Sequence, residues 1–92
     1  MSESSITYAA AAGVLLAEFT LRVRQIRPNS TVTLRFDRAD NVVIEWDERV
    51  LSSAHHWGQV FSPKVFDFPP SVALENLWTA WTNQVQRKLF GL

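Results

Sequence analysis

From Ala9 to Ile26 the apolar residues recur at alternating spacings of three and four: Ala9, Ala12, Leu16, Phe19, Val23 and Ile26 fall on one stripe of a helix. The pattern predicts a first helix running to about Arg27, capped by Ser4 or Ser5. Arg24 and Gln25 lie on the opposite face. Leu21 does too, with Val14 seven residues before it, so the back of this helix carries a second apolar strip. Phe19 to Val23 also alternates with period two, which leaves a strand open as the weaker reading there. Pro28-Asn29-Ser30 ends the helix, because proline has no amide hydrogen and restricts its predecessor, while Asn and Ser favour turns.

Two alternating stretches follow. Thr31 to Phe36 puts Val32, Leu34 and Phe36 on one face and Thr31, Thr33 and Arg35 on the other. Val42 to Trp46 puts Val42, Ile44 and Trp46 inward, with Val43 and Glu45 outward. The turn formers Asp37-Arg38-Ala39-Asp40-Asn41 between them predict an antiparallel hairpin, with Arg35 and Glu45 paired across it. Arg49 to Ser52 reads as a possible third strand. Ser53 to Pro63 is less regular, with a further strand open at Gln59 to Phe61. Lys64 to Pro70 is expected to be extended, since each proline disfavours helix just before it. A last helix starts near Pro70 or Ser71, buries Leu74, Trp78, Trp81, Val85 and Leu89 with Leu77 alongside, and stops at Gly91. The order is helix, hairpin, one or two short strands, helix. It predicts one α+β domain over residues 1–92, with a two-layer single core.

Ninety-two residues, 47% of them hydrophobic, suit one folded domain with no spare core for a deep pocket. The run Ala9 to Ala17 resembles the apolar part of a secretory signal, but the segment before it holds Glu3 and no Lys or Arg, and the run is too short to span a membrane. An intracellular protein without membrane contact is the expectation.

The residues exclude more chemistry than they suggest. There is no cysteine, hence no disulfide and no thiolate nucleophile. His55-His56 are adjacent, and adjacent side chains point in different directions, so they chelate poorly; no metal or cofactor is expected. Ser52 or Ser53 near His55 hints at a nucleophile and base, but the spacing has no signature and no third group is in sight. Gly13, Gly58 and Gly91 lie too far apart to cradle phosphate. A non-enzymatic binding protein with no small-molecule substrate is the reading that remains.

Net charge is zero but unevenly spread. Arg22, Arg24, Arg27, Arg35 and Arg38 stand against Asp37 alone, and Asp40, Glu45, Asp47 and Glu48 follow with no base among them. These charges are either surface ion pairs within the chain or a two-sign binding face. Without net positive charge or a helix-turn-helix layout, autonomous DNA binding is not expected. Trp46, Trp78 and Trp81 fall at core positions. Trp57, in the least regular segment, is the best candidate for an exposed interface anchor.

The opening MSESSITYAAAAGVLLAEF, the hairpin TVTLRFDRADNVVIEW and the closing ENLWTAWTNQVQRKLFGL resemble the small phage-encoded anti-CRISPR proteins that inhibit the type I-F surveillance (Csy) complex. The resemblance covers the whole chain in length and layout and carries no shared motif. It implies a non-enzymatic inhibitor in the cytoplasm of a bacterial host. Such a protein contacts Cas subunits, and in some cases the crRNA, and stops target DNA from binding or pairing. Several of these inhibitors are acidic DNA mimics; this chain is neutral, so mixed polar contacts fit it better. The interface expected from the residues comprises Arg22, Arg24, Arg27, Arg35, Asp37, Arg38, Asp40 and Glu45, with Trp57 as anchor. The alternative is a self-associating phage structural or accessory protein that uses Val14 and Leu21.

Overall fold

A computed structural model describes residues 3–91, with side chains from Tyr8 onward. Helix α1 (Glu3–Ile26) is followed by strands β1 (Thr31–Phe36), β2 (Val42–Val50) and β3 (Ser53–Phe61), a 3-10 turn (Pro63–Asp67) and helix α2 (Pro70–Trp81). Beyond α2 the chain continues without a break through a π-helical stretch, Thr82–Arg87, into a last α-helical turn, Lys88–Phe90. The sheet is antiparallel throughout, in the order β1-β2-β3. Both helices cover one of its faces, which is the α+β two-layer arrangement the sequence predicts. No helix among the described residues is long and apolar enough to cross a membrane.

One cluster forms the core. Ala12, Leu15, Phe19 and Val23 of α1 meet Val42, Ile44 and Trp46 of β2 and Ala73, Leu77, Trp81 and Val85 of the C-terminal helix. Phe19 and Trp46 both set their rings edge-on to Trp81, a favourable aromatic geometry. The α1 stripe is rotated from the predicted one: Leu15 is buried, Leu16 only partly, and Ala9 and Ile26 are exposed. α1 already includes Glu3, so Ser4 and Ser5 lie inside the helix and neither is its cap; the alanine- and leucine-rich sequence carries the helix further than a cap signal suggests. Phe19 to Val23 is helical throughout.

The C-terminal helix also departs from simple periodicity. Its buried apolar residues Ala73, Leu77, Trp81 and Val85 recur every fourth position, which drifts around a helix of 3.6 residues per turn. The π-helical stretch takes up one extra residue in the turn. The phase therefore moves by one: Leu89 is exposed, and Phe90 turns inward onto Trp46 instead. Trp78 is only partly buried, stacked on Trp81 at the rim. Gly91 ends the helix in the left-handed region.

After Phe36 the strands run longer than the alternation suggests. β2 continues past Trp46 to Val50, and Arg49 and Val50 belong to it and not to a separate strand. Leu51 and Ser52 form a two-residue turn, and the whole of Ser53 to Phe61 is one strand, not the short piece at Gln59 to Phe61. Pro63 to Asp67 is a 3-10 turn and not extended; Pro63 opens it at a position that tolerates proline, and the Ser62 hydroxyl accepts the Lys64 N–H at 3.4 Å.

The extension of β2 rests on Glu48, which faces the helices and is 7% exposed. Its carboxylate takes a two-pronged grip from Arg27, just past α1, with Nε to Oε1 at 2.8 Å. The Ser30 hydroxyl donates to the same oxygen at 2.9 Å, and Trp46 Nε1 donates to Ser30 Oγ at 2.7 Å. The Arg27 guanidinium also lies 3.4 Å from the centroid of the Phe90 ring. The Arg27 hydrogen bond, then the Ser30 bond and the Arg27 charge, hold the Glu48 carboxyl below its usual range despite burial.

Two outcomes follow for stability. Because the folded-state pKa of Glu48 is depressed, its contribution is present above the ordinary carboxylate range and is lost as pH falls through the depressed value. Glu48→Gln should therefore lose about 3 kcal/mol at pH 7, and its urea midpoint should depend less on pH in the acid range than that of the parent. Leu51 is 95% exposed with φ 55°, a left-handed conformation that β-carbons disfavour. Leu51→Gly should raise stability by about 1 kcal/mol in the same titration.

Candidate functional site

The face of the sheet away from the helices is open. The register brings Thr33, Glu45 and Gly58 side by side across the three strands, and Thr31, Asp47 and His56 in the next row. Arg35 Nε donates to Glu45 Oε1 at 2.8 Å, as the hairpin pattern predicts. Glu45 Oε2 lies 3.4 Å from His56 Nε2, and His56 Nδ1 lies 2.7 Å from Asp47 Oδ1. One chain of alternating charge and imidazole thus crosses all three strands. Arg49 stands exposed on the same face, two residues beyond Asp47. Val43 also points this way yet is buried; Arg35 and Val60 flank it in register on the two neighbouring strands.

The predicted interface residues do not form one patch. Arg22, Arg24 and Arg27 lie at the C-terminal end of α1. Arg38 and Asp40 lie at the β1–β2 turn, which is held near the other end of α1 by the Tyr8 hydroxyl donating to the Asp40 carbonyl. Tyr8 and Arg24 are about 24 Å apart along the helix at 1.5 Å per residue. Burial first, then the charges of Asp40 and Asp37, push the Tyr8 phenol above its usual pKa, so it remains a donor.

Several of these residues also serve the fold. Arg22 bonds Glu75 of α2 at 3.0 Å and sits over the Trp78 ring. Arg24 donates to the Pro28 carbonyl at 3.3 Å. Arg27 is committed to Glu48. Asp37 accepts from the Ala39 and Asn41 amides at 2.9 and 3.0 Å and from the Asn41 side chain at 3.1 Å. Those bonds, the Asn41 ones foremost, lower its pKa. Only Arg35 and Glu45 of the predicted set belong to the open face.

Trp57 is not a loop anchor. It sits in mid-β3 opposite Trp46, faces the helices, packs partly against the core and donates through Nε1 to Gln84 Oε1 at 2.7 Å. The two histidines point to opposite faces, as their adjacency in a strand requires: His56 outward, His55 inward with its ring edge-on to Phe90. Among the described residues no group of three or more His, Cys, Asp or Glu is placed to hold a metal ion.

Arg49 and His56 are the members of the open face that the sequence reading missed; Asp47 is counted among its two-sign charges but not in the expected interface. What places them there is the unbroken β2–β3 register from Val42–Phe61 to Val50–Ser53, which turns every second residue of both strands outward. No family model matches the chain, and no curated protein and no solved structure matches it.

The open-face charges are exposed, so their pairing contributes little to folding. His56→Ala and Asp47→Asn should each change unfolding free energy by less than about 1 kcal/mol. A larger loss in either variant, read by thermal or urea unfolding, would mark the network as structural and not as a surface free to serve a partner.

Proposed function

We propose that this protein is a non-enzymatic inhibitor that binds the type I-F crRNA-guided surveillance (Csy) complex through the open face of its sheet and blocks target DNA binding or pairing. The observation that carries a binding role is that face itself: three strands wide, uncovered by helix, with Arg35 and Arg49 set against Glu45 and Asp47. A surface of both signs suits a protein subunit presenting complementary charges and suits a phosphate backbone poorly. The choice of partner rests on the whole-chain resemblance to anti-CRISPR proteins. On this reading the protein acts in the cytoplasm of the bacterial host, contacts Cas subunits, and needs no cofactor.

A second reading has its own observation. Val14 and Leu21 are 55% and 60% exposed on one strip of α1, and Gly13, Ala17 and Leu21 border a shallow apolar groove that runs to Val32 of β1. Such a strip fits a self-associating phage structural or accessory protein.

Co-purification with the type I-F complex and a gel shift of its target DNA test the first reading. Retention of the protein and loss of the shift are expected. Arg35→Glu combined with Arg49→Glu should weaken binding tenfold or more, about 1.4 kcal/mol, without unfolding the chain. Absence of co-purification sinks the partner assignment, and unchanged affinity in the folded double variant removes the sheet face.

A further inference from the structure

We propose that the free edge of β3 pairs with the same edge of a second copy of this chain, antiparallel and centred on Trp57, to join the two sheets into one. The order β1-β2-β3 leaves β3 with a strand on one side only. The two-residue turn closes on the Val50–Ser53 pair, and bonding alternates from there. Ser53, His55, Trp57, Gln59 and Phe61 therefore direct their backbone groups to β2, while Ala54, His56, Gly58 and Val60 direct theirs outward. Among the described residues no backbone hydrogen bond from a turn, loop or cap reaches those outward groups.

Edge strands are normally protected by lysine, proline, a bulge or an inward charge. β3 has none of these. It contains no Lys, Arg, Asp, Glu or Pro, and its ladder with β2 is continuous from Ser53 to Phe61. The other edge, β1, is shorter, carries Arg35 and is flanked by α1 at Leu16 and Thr20.

The sequence of β3 is complementary to its own reverse. With Trp57 on the two-fold axis, the outward residues fall opposite one another: His56 meets the second copy's Gly58, and Ala54 meets the second copy's Val60. These are the hydrogen-bonded pairs, so the outward N–H and C=O groups are satisfied together. Ser53 meets the second copy's Phe61 in the alternate rows. In the His56–Gly58, Ala54–Val60 and Ser53–Phe61 pairs a larger side chain meets a smaller one, His55 meets Gln59, and no Lys, Arg, Asp or Glu is opposed. Trp57 meets its own counterpart at a non-hydrogen-bonded position, where side chains approach most closely. Val60, 57% exposed in the single chain, gains a neighbour. The axis stands normal to the sheet, so both helical layers lie on one side, where the exposed, uncharged Gln84 bonds Trp57. The pairing leaves the outer faces of both copies open and is independent of the partner proposed above.

Sedimentation equilibrium of the purified chain tests this, with circular dichroism as the check on folding. The parent should sediment at twice 10.5 kDa. Gly58→Pro removes one outward N–H and no bond to β2, and should sediment at the mass of a single chain. His56→Lys combined with Gly58→Lys sets lysine against lysine across the axis, should also give single chains, and decides the matter where the proline variant fails to fold. A parent that sediments as one chain overturns the proposal. So does a dimer that persists in the folded lysine variant, or one that is lost only in Leu21→Glu.

Discussion

The grip of Arg27 on the buried carboxylate of Glu48 is the contact on which the rest of the structure depends. It joins the end of α1, the turn at Ser30, the far half of the central strand and, through the Phe90 ring, the last turn of the C-terminal helix. A buried ion pair stabilises weakly against an apolar alternative, because both ions lose water. Its effect here is on register. A slip of β2 by one residue would turn Glu48 to solvent and bring Asp47 or Arg49 under the helices, leaving Arg27 without its acceptor. Trp46, wholly buried beside it, has its indole N–H satisfied only while Ser30 stays in the same cluster.

The arginine-rich first half of the chain thus divides its labour. Arg27 belongs to the interior, Arg22 and Arg24 tie α1 to its surroundings, and Arg35 lies out on the sheet. Their closeness in sequence does not make them neighbours in space, because a helix and a strand carry them apart. The two-sign surface that results keeps Arg35, Glu45 and Asp47 of the run from Arg22 to Glu48, and it is completed by Arg49 and His56, which lie beyond that run.

Much of the fold was legible as hydrophobic period. The β1–β2 hairpin, the Arg35–Glu45 pair and the stop at Gly91 follow from alternation and turn chemistry alone. The rest was hidden for physical reasons that can be named. Glu48 breaks the inward pattern of β2, and an inward glutamate makes sense only once Arg27 is known to lie above it. β3 carries two histidines, a glycine and a glutamine, residues with weak strand preference, and is held as a strand by the ladder to β2. The exchange of Leu89 for Phe90 depends on a π-helical turn, which a fixed period of 3.6 does not express. The open face inherited these gaps, since three of its charged or imidazole groups come from the stretch after Trp46.

α1 is fastened near both ends to the same sheet, by Tyr8 to the β1–β2 turn and by Arg27 to β2. It therefore acts as a splint along the strands. Bending or twisting the sheet would strain both fastenings. A surface stiffened in this way loses little conformational freedom on association, and more of each contact it makes is left to appear as affinity. On the binding role proposed above, a helix that stiffens one face of so small a domain would serve recognition on the other.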